Sequence, residues 1–475
     1  MLFNSISFLI FIAIVLLIYP WITVRKQNIF LLIVSYFFYG FWDWRFIFLI
    51  LIATTADFFI GKKIYAAKVH QRKKHLLSVS ITFNLCILGF FKYFNFFVDS
   101  MEVLLGTMGF EPHLPVLRIV LPLSISFYTF RSISYTIDIY RDKISPENNF
   151  INYALYVSFF TQLLAGPIER AQNLLPQIMK PRILSKQQFI DGLSLIILGF
   201  FKKVAIADTL APIVEKTFSS PASFSSGELL SGMYAFAFQL YGDYSGYTDI
   251  ARGVSLLLGF KIIENFNTPY FSRNVTEFWR RWHISLSTWL RDYLYISLGG
   301  NRISTIRTYF NIMITMFLGG LWHGAAWTFV AWGTAHGFYL FIHKFLFSKV
   351  QNQISLLRTV SGWILNITKI FLTFHLVAFT LIAFRAQDFK TILIYIKGIL
   401  RFESIMNLDP SVLFACGLIV ILDIVQVWTK RNTWLLDKKT ALPLRYALTQ
   451  ILLISIMAAA IAHVNIITPF IYFQF

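Results

Sequence analysis

The chain has 475 residues, of which 57% are hydrophobic and only 14% charged, with a mean hydropathy of +0.63. So few charged side chains cannot clothe a water-soluble globule, and apolar runs near the ~20 residues needed to cross a bilayer recur along it, which makes this a polytopic membrane protein. The 42 Lys and Arg against 23 Asp and Glu leave a formal charge of +19, which reads here as basic loops gathered on one side of a membrane, not as a nucleic-acid surface.

The first apolar run, 7–21, has no basic segment before it and no small-residue cleavage site after it, so it reads as a retained span and not a signal peptide. Arg25 and Lys26 follow it, which places the N-terminus outside and the next turn in the cytoplasm. Runs 29–41 and 46–60, split by Trp42, Asp43, Trp44 and Arg45, read as a helical hairpin with an aromatic belt at its outer turn. The loop carrying Lys62, Lys63, Lys68, Arg72, Lys73 and Lys74 contains no acid and belongs in the cytoplasm, whereas the loop between runs 76–98 and 119–139 carries Asp99, Glu102 and Glu111, as an outward loop can.

Further runs fall at 153–165, 189–207, 229–241, 250–260, 309–322, 328–342, 363–384, 412–427 and 446–464. Several are too short to cross alone, which predicts broken, re-entrant or tilted helices in the middle third. No repeat or soluble domain is evident. The expected organisation is one membrane domain with N-terminal spans over 1–140, a core over 150–345, C-terminal spans over 360–464 and an outward aromatic tail over 465–475. Cys86 and Cys416 lie inside apolar runs and offer neither a disulfide framework nor metal-ligand spacing.

Ionisable residues at membrane depth cost about 2.5–3.5 kcal/mol each even on insertion scales, so they are functional candidates by default. Three segments concentrate them. In 277–293, helical spacing puts Trp279, Trp282, His283, Leu286 and Leu290 on one face and Arg280, Ser287 and Arg291 on another. That pattern fits an amphipathic interface helix whose Arg side chains reach lipid phosphates, or one in which Arg280, Arg281 and Arg291 hold an anionic donor bidentately. In 317–327, His323 follows Trp322 in an apolar run with small neighbours; a neutral imidazole is insertable and can take a proton from an alcohol. His336 and His343 fall on other helical faces and are weaker candidates. In 239–249, Asp243 and Asp249 are open to two readings: an acid/base couple or cation site, or carboxylates that satisfy backbone donors in a broken helix. Phosphate-loop, dinucleotide and nucleophile-elbow motifs are absent from the sequence.

Four stretches carry a family resemblance: Gln162–Arg170 with its Gly166-Pro167 pair, the Asp243–Asp249 segment, 278–302 ending in Gly299-Gly300-Asn301-Arg302, and Leu321-Trp322-His323-Gly324. On these residues the sequence resembles the membrane-bound O-acyltransferase (MBOAT) family, in the bacterial branch that O-acetylates cell-envelope polysaccharides such as alginate. The resemblance implies an all-α bundle of about a dozen helices around a funnel, with His323 matching the catalytic histidine and His283 a second functional one. It implies acetyl-CoA as a cytoplasmic donor substrate, no bound cofactor or metal, and a bacterial inner-membrane location; the basic loop Lys430–Arg445, expected in the cytoplasm, sends the tail outward, so that both ends are expected outside. A periplasmic SGNH-type acetyltransferase is the implied partner and a polysaccharide the final acceptor. Arg280, Arg281, Arg291, Trp282, Trp322, Asp243 and Asp249 are the expected donor-binding or tunnel-lining residues. The closing Phe470–Phe475 stretch is similar to an aromatic motif of relatives, so Tyr472 is expected to carry the acyl group in relay. The rival class is a transporter or flippase for polysaccharide or lipid-linked sugar, which needs similar spans and buried charges; peptidoglycan or cellulose are the alternative acceptors.

Overall fold

A computed structural model describes residues 1–110, 119–350, 362–404, 407–436, 441–462 and 470–471. The described residues are helical with no strands, as expected for an all-α membrane bundle. They form two compact units, Met1–Ser185 with Ser255–Ile262, and Lys186–Val254 with Ile263–Phe475.

The first unit begins with α1 (Ile6–Ile18), opened by the Ser5 side chain, which accepts from Phe8 N, and ended by Tyr19-Pro20. Then come α2 (Val24–Asp43) and α3 (Arg45–Ala66), separated by Trp44 alone, beside which Asp43 and Arg45 pair at 2.6 Å. α4 (His70–Leu88) runs through a π-helical turn, Gly89–Tyr93, into α5 (Phe94–Thr107), making one long rod. α6 (Ile125–Tyr140) begins later than the 119–139 run suggests, after Ser124 in a left-handed conformation, and is buried from Ile125 to Ile139. α7 (Phe150–Ser158), α8 (Phe160–Leu163) and α9 (Ala171–Met179) complete the unit.

Its polar residues brace the packing. Asp57 on α3 accepts from Ser80 Oγ at 2.6 Å and Asn84 Nδ2 at 2.7 Å on α4. Arg131 on α6, wholly buried, donates to the carbonyls of Val157 at 3.0 Å and Gln162 at 2.7 Å. These carbonyls flank the α7–α8 break and have no helical donor, so the guanidinium caps them.

The second unit opens with α10 (Lys186–Phe200), a π-helical turn Phe201–Ala207 and α11 (Asp208–Ser219). α12 (Ser226–Leu257), whose part up to Val254 belongs here, corrects the expected break at 239–249: it runs through that stretch as one helix. Its glycines serve close packing. A Cβ on Gly246 would lie 2.7 Å from the Gly199 carbonyl oxygen, and one on Gly199 would lie 2.6 Å from the Gly246 oxygen. α10 and α12 therefore touch backbone to backbone, as small residues permit inside membranes.

The opposite correction applies to 277–293, expected as one amphipathic helix. It is α13 (Val275–Arg281) and α14 (Ile284–Trp289), split by Trp282 in extended and His283 in left-handed conformation (φ 43°), before a π-helical turn Leu290–Tyr295. Next come α15 (Thr305–His323), α16 (Trp327–Val350), α17 (Gly362–Arg385), α18 (Phe389–Ile399), α19 (Pro410–Thr429) and α20 (Leu442–Ala462). Among the described residues, His70–Thr107, α17, α19 and α20 are long and apolar enough to cross a membrane.

Candidate functional site

The break at His283 exists because a neighbouring loop completes its hydrogen bonds. Ile284 N donates to the Asn265 carbonyl at 2.9 Å and Asn267 N to the Arg281 carbonyl at 2.9 Å, so the loop after α12 lies along the α13–α14 junction. The Asn265 side chain then accepts from Ser285 N at 3.1 Å and Ser285 Oγ at 2.9 Å, capping α14.

That cap also determines the chemistry of His283. A backbone N–H can only donate, so the Asn265 atom facing Ser285 N is the amide oxygen; His283 Nδ1, 3.2 Å from the same oxygen, carries its ring's proton. In the neutral ring Nε2 is then an acceptor, and the Tyr244 hydroxyl of α12 donates to it at 2.8 Å. His283 is fully buried and held at both nitrogens.

α15 ends at His323 because Gly324 turns extended. The two histidine rings lie 6.2 Å apart, centre to centre. Trp332 of α16 and Phe384 of α17 stand edge-on to His323 at 5.0 and 5.3 Å, and Trp322 stands against His283 at 5.7 Å. The result is a buried aromatic cluster that holds two imidazoles, surroundings in which a base acts with little competing solvent.

His336, the weaker candidate, belongs to the same cluster. α15 and α16 form a hairpin, so a helical wheel drawn through both does not apply. His336 is buried and accepts from Trp279 Nε1 at 3.3 Å. Its Nε2 lies 3.0 Å from Thr380 Oγ1, and Trp332 packs between its ring, at 4.9 Å, and that of His323.

The structure separates Asp243 and Asp249. Asp243 pairs with Lys203 at 2.5 Å and Asp249 with Lys202 at 2.9 Å; the π-helical turn presents both lysines to α12. Asp249 also accepts from Arg252 of its own helix at 3.4 Å. Two lysines inside the apolar run 189–207 were the available signal for this arrangement. Tyr244 and Asn265 carry no comparable mark in the sequence, since a hydroxyl and an amide inside polar stretches are ordinary.

The three arginines also part. Arg281 lines a cleft of about 750 Å³ with Gln187, Asp191, Glu264, Lys430 and Arg431, while Arg280 is exposed elsewhere and Arg291 pairs with Asp292 at 2.6 Å. In the cleft wall Arg281 bonds Glu277 at 2.7 Å and Thr268 at 3.1 Å. Burial alone would raise the Glu277 carboxyl, but hydrogen bonds from Arg273 and the charges of Arg281 and Arg273 hold it below its ordinary value. Burial raises the Glu264 carboxyl against the pull of Arg252. Trp282 is buried beside His283. Tyr472 lies outside the described residues.

A family model described as MBOAT, membrane-bound O-acyltransferase family, matches residues 141–384. The chain is 47% identical over 350 residues to a probable alginate O-acetylase AlgI of Azotobacter vinelandii, covering 73% of this chain and 69% of that one. Against the protein of the same name from Pseudomonas aeruginosa it is 43% identical over 392 residues, 82% and 73% of the two chains. A peptidoglycan O-acetyltransferase of Helicobacter pylori is 33% identical over 404 residues, 80% and 74% of the chains.

Proposed function

This chain belongs to the membrane-bound O-acyltransferase family, a multi-pass membrane enzyme that transfers acyl groups to oxygen, and from that premise we propose that it takes acetyl from cytoplasmic acetyl-CoA and passes it across the bacterial inner membrane. The acceptor is a cell-envelope polysaccharide, alginate-like in the first instance, reached through a periplasmic SGNH-type partner. The higher identity to the probable alginate O-acetylases than to the peptidoglycan enzyme supports that order of acceptors.

The observation that carries the reading is the buried aromatic cluster in which the His323 and His283 rings lie 6.2 Å apart, centre to centre. His323 takes the proton of the acceptor hydroxyl while its oxygen attacks the thioester carbonyl. The carbon–sulfur bond breaks, and the leaving thiolate recovers the proton from the imidazolium, giving an ester and free CoA. Such general-base action contributes about 10²–10⁴-fold. His283, bonded at both nitrogens, stays neutral and holds the Tyr244 hydroxyl in that cluster.

Arg281, Lys430 and Arg431 in the 750 Å³ cleft suit the donor's phosphates: three cations face the carboxylates of Glu264 and Asp191. The cleft and His283 are built from the same paired segments, with Asn267 bonded to Arg281 and Asn265 to Ile284. On the outer side, Tyr472 receives the acetyl group and hands it to the partner.

The test is purified protein in vesicles with labelled acetyl-CoA on one side and the partner with polymer on the other. Label reaching polymer in the wild type and failing with His323→Ala supports the reading; transfer that survives His323→Ala overturns the assignment of the base. Movement of whole polymer or lipid-linked sugar without label transfer would favour a transporter.

A further inference from the structure

One carboxylate lies inside the apolar run 46–60 and takes no part in the transfer chemistry. Asp57 of α3 is wholly buried, and among the described residues no Lys, Arg or His pairs with it. Its hydrogen-bond donors are neutral, Ser80 Oγ at 2.6 Å and Asn84 Nδ2 at 2.7 Å. A buried carboxylate at membrane depth without an opposite charge is costly even when hydrogen-bonded, so either a proton or a cation has to answer it. Asp57 and the side chains around it all belong to the first unit, whereas His283 and His323 belong to the second.

The oxygens around Asp57 favour the cation. The Asn84 amide nitrogen donates to Asp57 and to the Ser80 carbonyl at 3.0 Å, which fixes the amide's orientation. The atom left over is the amide oxygen, which can only accept, and it is buried with no hydrogen-bond partner. Ser132 Oγ of α6 faces the carboxylate, and the Tyr153 hydroxyl of α7 faces Ser132 and Asp57. Thr54 precedes Asp57 by one turn on the same face of α3. These three hydroxyls are likewise buried without a partner. A proton on Asp57 would cancel the charge and still give the Asn84 oxygen no donor; a cation answers both.

Carboxylate, amide and hydroxyl oxygens are the ligands of a hard cation. With a single negative charge among them, a monovalent ion leaves the group neutral, while a divalent one would bury a net positive charge. The described residues hold no group of three His, Cys, Asp or Glu side chains, the kind of set a transition metal selects. We propose that Asp57, Asn84 and Ser132, with Thr54 and Tyr153 as further oxygen donors, form a binding site for a monovalent hard cation of the sodium kind. The ion ties α3, α4, α6 and α7 together inside the first unit, as a structural ion and not a reactant.

The full chain, purified in detergent, is titrated with sodium chloride against choline chloride at constant total salt, and thermal unfolding is followed. Sodium raises the wild-type unfolding temperature by about 5 °C, and the rise saturates. Asp57→Asn keeps the shape and removes the charge, so its unfolding temperature does not respond to sodium. Ser132→Ala keeps the carboxylate and loses one neutral ligand; its response remains, with the half-saturating sodium concentration higher on the order of tenfold. Equilibrium binding of radioactive sodium reads the same site without reference to stability: the wild type retains sodium and Asp57→Asn does not. Equal unfolding temperatures in sodium and choline, with no sodium bound, overturn the site and leave Asp57 as a protonated acid. A response that persists in Asp57→Asn also overturns it, because the ion then binds elsewhere. Should Asp57→Asn fail to fold, Ser132→Ala decides, and an unchanged half-saturating concentration there overturns the proposal.

Discussion

Tyr244→Phe removes one oxygen from the wall around His283 and leaves the ring in place, packed edge-on to Phe266 at 5.0 Å and to His283 at 4.9 Å. His283 Nε2 then loses the hydroxyl that donates to it at 2.8 Å, and a fully buried acceptor without a partner costs about 1–3 kcal/mol. The reciprocal change must respect the backbone. His283 sits at φ 43°, where most side chains are strained by about 1–2 kcal/mol but Asn is tolerated, so His283→Asn is the variant to use. Asn265 keeps its two Ser285 donors in that variant, which removes the ring nitrogen that accepts from the Tyr244 hydroxyl. If the two residues work through their shared bond, each single variant loses about ten- to a hundredfold in transfer rate, and the double variant is little worse than the more severe single one. The coupling in the double-mutant cycle is then about 1–3 kcal/mol. Transfer measured as thiol release, with thermal unfolding in detergent alongside, gives all four corners. Effects that simply multiply would refute the pairing and with it the neutral, Nδ1-protonated state assigned to His283.

Gly246→Ala sets a methyl 2.7 Å from a backbone oxygen that cannot yield, and about 1–3 kcal/mol of stability is lost, read as a lower unfolding temperature; an unchanged temperature contradicts the backbone contact. Arg281→Ala raises the donor KM about tenfold or more while Arg280→Ala leaves it near wild type, since only Arg281 lines the cleft; equal effects would argue for a lipid-facing role of both. Arg131→Met strands the Val157 and Gln162 carbonyls and lowers stability by about 3 kcal/mol, which thermal unfolding or limited proteolysis detects. A cysteine in place of Lys430 reacts with an impermeant maleimide only after cells are opened; labelling in intact cells would reverse the orientation assigned to the cleft.

The all-helical membrane class and most helix positions were legible in the sequence because apolar runs report burial in lipid directly, residue by residue. α17, α19 and α20 appear nearly as the runs at 363–384, 412–427 and 446–464 mark them, the last as far as the described residues reach. His323 and His283 also stood out, as ionisable groups in apolar surroundings. Periodicity failed wherever one segment's conformation depends on another. The glycines of 239–249 suggested a break, yet they exist so that α10 can approach α12. The 277–293 stretch has the spacing of one helix, yet it breaks at His283 because Asn265 accepts the bonds the break exposes. Asp243 and Asp249 looked like a pair, yet each has its own lysine.

By itself the sequence determined that the chain enters a membrane, where most of its helices lie and which ionisable groups had to be explained, since those follow from local transfer energies. Only the tertiary structure decided which buried charge answers which and which nitrogen of His283 carries the proton. It alone also brought the backbone N–H of Ile471 to the Asp243 carboxylate, because a buried polar group is satisfied by whatever the fold places within hydrogen-bonding reach, regardless of its distance along the chain.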